Sequence, residues 1–215
     1  MPTQIPTPPI DMRERLPFDL DHFYVPQRYE TSLEHILIPS GLIEARIHRM
    51  AEDVTQVYRR EGVDEIYAVI CLSGAVPFAV QLMKDRRMET TVHPLYAAIK
   101  GGYGAGTSSC DGPTVQLGDL EAIRGKHVLL MEDIVDSGQT LSAALPAIRE
   151  QYAPASLRVA ALLDKPAGRA LGVEVPIDFC GFTIPDAFVV GCGLDYNGRF
   201  RDLPDVGVLK PEVYR

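Results

Sequence analysis

The sequence predicts an α/β fold, a parallel sheet flanked by helices, from three observations. Short apolar runs rich in Val, Ile and Leu recur along the chain, each of the kind that becomes a strand buried on both faces. They alternate with segments whose apolar residues fall at helical spacing. At 215 residues the chain fits one domain, large enough to bury roughly 70% of its unfolded surface.

The elements follow in order. Residues 1–15 carry four prolines and no periodicity, and read as a flexible tail, with a single domain over 16–215. Thr31 and Glu34 have capping-box spacing, which predicts a short helix through LEHILI that Pro39 ends. Ser40 then caps a longer helix whose face is Ile43, Ile47, Met50, Val54 and Val57, running to about Arg60. Ile66–Leu72 is a strand, followed by Ser73-Gly74-Ala75 and a helix over Val76–Lys84. Leu95–Ile99 is the next strand and Lys100–Pro113 a Gly-rich loop. Val128–Met131 and Arg158–Leu163 are buried strands, the second broken by Asp164-Lys165-Pro166. Between them Leu141, Ala144, Leu145 and Ile148 mark one helix face. Ile177–Phe182, Phe188–Val190 and Val206–Leu209 read as short strands of a separate C-terminal lobe.

A net charge of −8 and a pI near 5.1 argue against nucleic acid or an anionic membrane as a standing partner. No apolar run approaches the ~20 residues of a spanning helix, and MPTQIPTPPIDMRER lacks an apolar signal core, so a cytoplasmic location is expected. Cys71, Cys110, Cys180 and Cys192 lack CxxC spacing and read as reduced thiols, mostly core filler. The histidines show no ligand spacing.

The chemistry concentrates in His127–Leu141, HVLLMEDIVDSGQTL. A buried strand ends in Glu132 and Asp133, then come Asp136, Ser137, Gly138 and Thr140 as a helix opens. In an open α/β sheet the ligand crevice lies beyond the carboxyl ends of the strands. Backbone N–H groups of the Asp136–Thr140 loop and the Ser137 and Thr140 hydroxyls suit an anion. Glu132 and Asp133 suit ribose hydroxyls or a hydrated Mg²⁺, and Asp136 a proton transfer. The same string also reads as a polar strand-to-helix loop with acids stabilising a helix N-terminus. A P-loop is excluded, because the GxxxxGK[ST] order is absent.

EDIVDSGQT resembles the phosphoribosyl pyrophosphate motif of type I phosphoribosyltransferases. Two more blocks, FDLDHFYVPQRYETSLEHILIPSGLI at Phe18–Ile43 and GFTIPDAFVVGCGLDYNGRFRDL at Gly181–Leu203, resemble hypoxanthine-guanine phosphoribosyltransferases. Similarity runs from about Phe18 to about Leu209. The resemblance implies the type I phosphoribosyltransferase fold, with a small hood lobe from about 16–40 and 177–215. It implies purine salvage, in which the phosphoribosyl group passes from phosphoribosyl pyrophosphate to N9 of hypoxanthine or guanine with Mg²⁺. Homodimers or homotetramers are implied as well.

By the same resemblance Glu132 and Asp133 address the ribose and nearby metal. Asp136, Ser137, Gly138, Gln139 and Thr140 cradle the 5′-phosphate, and Asp136 is the general base at purine N7. Lys165 donates to the 6-oxo group, Phe188 stacks on the purine and the Val189 backbone reads its edge. Asp195 binds Mg²⁺, Arg201 clamps pyrophosphate, and the backbone at Ser73 and Gly74 contacts it. Two stretches depart from the family pattern. Ser73 replaces a lysine and Ala75 a glycine, and Ala98-Ile99-Lys100-Gly101-Gly102-Tyr103 stands where the family has Arg-x-Lys-Ser-Tyr. They leave open a second reading, a catalytically weak or silent purine-nucleotide-binding paralogue with a regulatory role.

Overall fold

The computed structural model describes residues 6–98, 117 and 119–214. The first half holds β1 (Ile10–Asp11), α1 (Gln27–Glu30), β2 (Leu33–Ile38), α2 (Ser40–Arg60), β3 (Glu65–Cys71), α3 (Val76–Met83) and β4 (Thr91–Ala97). The second holds β5 (His127–Val135), α4 (Gln139–Tyr152), β6 (Ser156–Asp164), β7 (Phe179–Thr183), β8 (Val189–Val190), β9 (Val206–Leu209) and α5 (Pro211–Tyr214). No described helix is long and apolar enough to cross a membrane.

Six strands form one parallel sheet in the order β1-β7-β6-β5-β3-β4. Its central strands are the apolar runs of the sequence. Ala68, Val69 and Ile70, then Val128, Leu129, Leu130 and Met131, then Val159, Ala160, Ala161, Leu162 and Leu163 are all buried. From β3 the chain crosses to β4 at one edge, whereas from β5 it crosses through β6 toward the other. The strand order therefore reverses between β3 and β5, which lie side by side with Ile70 opposite Met131. Right-handed crossovers in opposite directions put α3 and α4 on opposite faces and open a crevice at the carboxyl ends of β3 and β5. Ile43, Ile47, Met50, Val54 and Tyr58 bury one face of α2, which packs against α3 and β7.

Several expectations change. LEHILI is strand β2, not a helix. Its residues before Pro39 favour extended backbone, and its isoleucines pair antiparallel with β9, Ile36 opposite Gly207 and Ile38 opposite Val206. Thr31 closes the short helix α1 instead of opening one. Ser40 is the first residue of α2 and not its cap. Its N–H donates to Asp205 Oδ1 at 2.6 Å, so a carboxylate far along the chain caps the helix.

The expected tail is docked over part of its length. Ile10 and Asp11 pair with Phe182 and Thr183 of β7, Met12 is buried, and Arg46 Nη2 donates to both Thr7 O (3.1 Å) and Cys180 O (2.7 Å). Prolines exclude a helix there but not an extended strand closing a sheet edge. The strand at 177–182 also moves. As β7 it joins the main sheet beside β6, with Phe179 and Phe182 buried, so it is not part of a separate lobe. The third predicted strand begins earlier, at Thr91, and Pro94 is tolerated because β4 is an edge. The Gly-rich loop expected over Lys100–Pro113, with Ile99, Tyr103 and Cys110, lies outside the described residues.

The second sheet has the order β2-β9-β8 and is antiparallel. It draws one strand from the N-terminal part of the chain and two from the C-terminal part, with its own core of Val25, Tyr29, Leu33, Val190, Phe200, Leu203 and Leu209. Because Asp205 caps α2 from this lobe, Asp205→Ala is expected to destabilise the protein by about 1–2 kcal/mol. Urea denaturation measures it, and an unchanged midpoint contradicts the capping role.

Candidate active site

β5 is longer than its apolar run. It continues through Glu132 and Asp133 to Val135, so the paired acids stand on the strand itself rather than in the loop after it. Successive strand residues point to opposite faces, and the two acids accordingly meet different neighbours. Glu132 faces the Cys71 thiol, and its Oε2 is buried with no hydrogen-bond partner among the described residues. Burial first, and the Asp133 charge second, push its carboxyl up to about 8. Burial and the same carboxylate raise the Cys71 thiol.

Asp133 is also raised by burial, opposed by the Ile134 N–H that donates to its Oδ1 at 2.8 Å and by Arg201. Gly74 makes room for it. A Cβ on Gly74 would overlap Asp133 Oδ2, so only glycine lets the Ser73–Ala75 loop settle on the acid. The Leu72–Ser73 peptide is cis and Ser73 is exposed.

Above this loop sits Gly193, at φ +101°, where a Cβ would overlap Gly74 O. Gly193 O accepts from Arg201 Nη1 at 2.6 Å, and Arg201 Nη2 pairs with Asp195 Oδ1 at 2.8 Å. Asp195 Oδ2 accepts from the Gly198 N–H at 2.8 Å. One contiguous arrangement thus brings together Asp133, Gly74, Arg201 and Asp195. The described residues hold no set of three side chains placed to ligate a metal on their own.

The loop from Asp136 turns into α4 through Gly138, whose φ of +75° only glycine adopts readily. Val173 and Val175 fill the space where its Cβ would stand. Ser137 Oγ lies 3.4 Å from the Gln139 N–H, and Thr140 is in the first turn of the helix. The Asp136 carboxylate is half exposed and meets the Lys165 ammonium at 2.9 Å, with Asp186 Oδ1 at 3.7 Å from the same nitrogen. Beneath the pair, a Cβ on Gly168 would overlap Asp136 Oδ1.

Phe188 follows Asp186 by two residues. Tyr214 of α5 stacks on its ring at 4.7 Å and Tyr196 meets it edge-on at 5.4 Å, leaving at most one face for a planar ligand. Val189 is buried in β8 opposite Val208. A cavity of about 420 Å³ between α2 and the segment after α3, lined by His48, Asp85 and Arg87, contains none of these groups.

Sequence reasoning missed Gly168, Arg169, Asp186 and Gly193. Arg169 donates to the carbonyls of Val135 (2.5 Å) and Asp136 and pairs with Asp164. Short motifs do not reveal such residues, because each acts through a neighbour distant in sequence. A glycine just after a strand's polar end, as in Lys165-Pro166-Ala167-Gly168, was the available signal.

Residues 40–197 match the phosphoribosyl transferase domain. The chain is 38% identical over 218 residues to the hypoxanthine-guanine phosphoribosyltransferase of Mus musculus, covering 97% of this chain and 95% of that protein. It is 39% identical over 183 residues to the bifunctional protein TilS/HprT of Listeria monocytogenes, covering 85% of this chain but only 27% of the longer protein. The hypoxanthine-guanine phosphoribosyltransferase of Schistosoma mansoni in complex with IMP superposes with a TM-score of 0.76 at 26% identity, covering 96% of this chain and 97% of that one.

The buried Glu132 gives a test by pH. Its carboxyl releases a proton near 4.5 when unfolded but holds it to about 8 when folded. Between those values the unfolded state binds fewer protons, so stability falls as pH rises. Glu132→Gln removes this term, and its melting temperature relative to the native chain is expected to rise steadily from pH 5 to pH 8. A difference independent of pH across that window contradicts the burial of an ionisable Glu132.

Proposed function

The chain belongs to the hypoxanthine-guanine phosphoribosyltransferase family, and from that premise we propose that it transfers the phosphoribosyl group of phosphoribosyl pyrophosphate to N9 of hypoxanthine or guanine. The products are IMP or GMP and pyrophosphate, a purine-salvage reaction. The observation that carries this reading is the Asp136–Lys165 pair, an acceptor and a donor side by side at 2.9 Å. A 6-oxopurine offers their complement on one edge, with O6 to accept from Lys165 and N7–H to donate to Asp136. Adenine puts an amino group where Lys165 needs an acceptor, which is a strong basis for rejection.

Reaction requires N9 to bond to C1′ as the bond from C1′ to pyrophosphate breaks, through a sugar of oxocarbenium character. Asp136 takes the N7 proton while N9 attacks, so the purine does not accumulate positive charge. Phe188 stacks on the purine by the face that Tyr214 does not cover, and the Val189 backbone reads the edge of the base. Ser137, Gly138, Gln139 and Thr140 hold the 5′-phosphate with Asp136 at the start of the loop. Glu132 and Asp133 hold the ribose hydroxyls. Arg201 and the Ser73-Gly74 backbone hold pyrophosphate, and the loss of a lysine at Ser73 leaves that role to the peptide groups.

Mg²⁺ fits the same acids. The orphaned Glu132 Oε2 and the elevated carboxyls of Glu132 and Asp133 are groups that a cation would satisfy, and Mg²⁺ takes one or two carboxylates together with phosphate oxygens and water. Glu132, Asp133 and Asp195 are the residues that would hold it, and it would neutralise pyrophosphate charge during departure. The support for a homodimer or homotetramer is the family resemblance.

Turnover tests the reading. The protein with phosphoribosyl pyrophosphate, Mg²⁺ and each of hypoxanthine, guanine, xanthine and adenine is expected to release pyrophosphate with the first two. Saturable IMP binding without product from any base replaces the enzyme with the regulatory paralogue. Asp136→Asn keeps the shape and removes the proton acceptor, so kcat is expected to fall by about 100-fold or more with KM little changed. Lys165→Gln is expected to narrow the preference for hypoxanthine over adenine, read as the ratio of kcat/KM values. An unchanged ratio removes Lys165 from base selection.

A further inference from the structure

We propose that Arg169 is a positioning residue of the phosphate loop, setting the direction in which its backbone N–H groups point. The inference rests on the assignment of Asp136–Thr140 to the 5′-phosphate and goes beyond it, because Arg169 stands outside that loop and acts through its carbonyls.

Three consecutive carbonyls at the end of β5 are held by the segment after β6. Val135 O accepts from the Lys165 N–H at 3.0 Å and from Arg169 Nη1 at 2.5 Å. Asp136 O accepts from Arg169 Nη1, and Ser137 O from the Ala170 N–H at 3.0 Å. These peptides are trans, and a planar trans peptide carries its C=O and N–H on opposite sides. Pinning the three carbonyls to one flank therefore turns the N–H groups of Asp136, Ser137 and Gly138 away from it. None of those N–H groups donates to a backbone carbonyl in the loops and turns among the described residues. Donors turned to one side of a loop ahead of a helix suit an anion.

Arginine suits the task. Nη1 reaches two carbonyls, while Nη2 pairs with Asp164 Oδ1, which fixes the guanidinium plane. The two side chains are only 18% and 19% exposed, so solvent does not compete freely for these bonds. The Arg169 side chain also lies against Gly138, where an added Cβ would come to 3.3 Å from its Cδ. A lysine has one nitrogen and cannot hold two carbonyls and a carboxylate in a fixed plane.

The test compares ligands that differ only in the phosphate. Isothermal titration gives the affinities of IMP and inosine for the native chain, Arg169→Gln and Arg169→Lys. The native chain is expected to prefer IMP strongly, and Arg169→Gln to lose about tenfold or more of that preference while inosine binding stays within about twofold, as when charge-assisted bonds that orient a loop are removed. A preference retained within about twofold overturns the proposal, and so does an equal loss for both ligands, which marks general disruption. Should Arg169→Gln lack a cooperative unfolding transition, Arg169→Lys decides by the same criteria. A native chain that binds inosine as tightly as IMP overturns the phosphate assignment itself, a failure distinguishable from the others.

Discussion

Everything in the crevice follows from carrying two adjacent carboxylates on a strand at the centre of a buried sheet. Glu132 and Asp133 are both held largely away from solvent, with Glu132 Oε2 fully buried, and strand geometry denies them a shared partner. The surroundings adapt to each. Beside Asp133 the next loop gives up a side chain at Gly74, and the loop above gives up another at Gly193. A cation, Arg201, is brought near from the second sheet. Glu132 receives no such compensation from the chain beyond Cys71, and its elevated carboxyl records that. Unspent electrostatic cost of this kind is what a bound sugar or cation can relieve.

The second sheet is fastened to the first at the places that line this crevice. Asp205 closes the amino end of α2 from one side, and Gly193 sits on Gly74 from another. The fastening matters because Arg201 and Asp195 ride on the second sheet's loops while Asp133 and Asp136 belong to the first sheet. Their relative placement is only as fixed as those contacts. On the opposite wall, the segment from Lys165 to Ala170 does similar work through Gly168 and Arg169, packing a loop of one strand onto the loop of its neighbour.

Much of this was legible in the sequence where the signal is local. Buried strands and amphipathic helices announce themselves by composition and spacing, so the sheet centre, α2, α3 and α4 were read closely. The acids of β5 and the glycine opening α4 were visible for the same reason. What failed was decided by partners far along the chain. LEHILI has apolar residues that suit a helix or a strand, and β9 selects the strand. Ile10 and Asp11 carry no pattern, yet the open edge of β7 orders them. Arg169 and Gly168 look like ordinary loop residues until the fold sets Asp136 against them. The grouping of Lys165, Phe188 and Arg201 as site residues came from the family resemblance, since none of them has a local signature that separates it from loop and core.

The strand partnerships also impose an order in time. β3 through β6 are formed by residues 65–164, whereas the small sheet pairs Leu33 with Leu209 and finishes with Tyr214 stacked on Phe188. Loop closure over such a span is slow relative to local pairing. During synthesis the acidic strand end and the Asp136–Thr140 loop can be assembled while β2 still waits for its partner. The Phe188 ring gains its stacking partner only once Tyr214 has been made. A chain stalled before β9 therefore holds the acids of β5 in their parallel sheet while β2 stays unpaired, so that Arg201 and Asp195 have no completed sheet to hold them near Asp133.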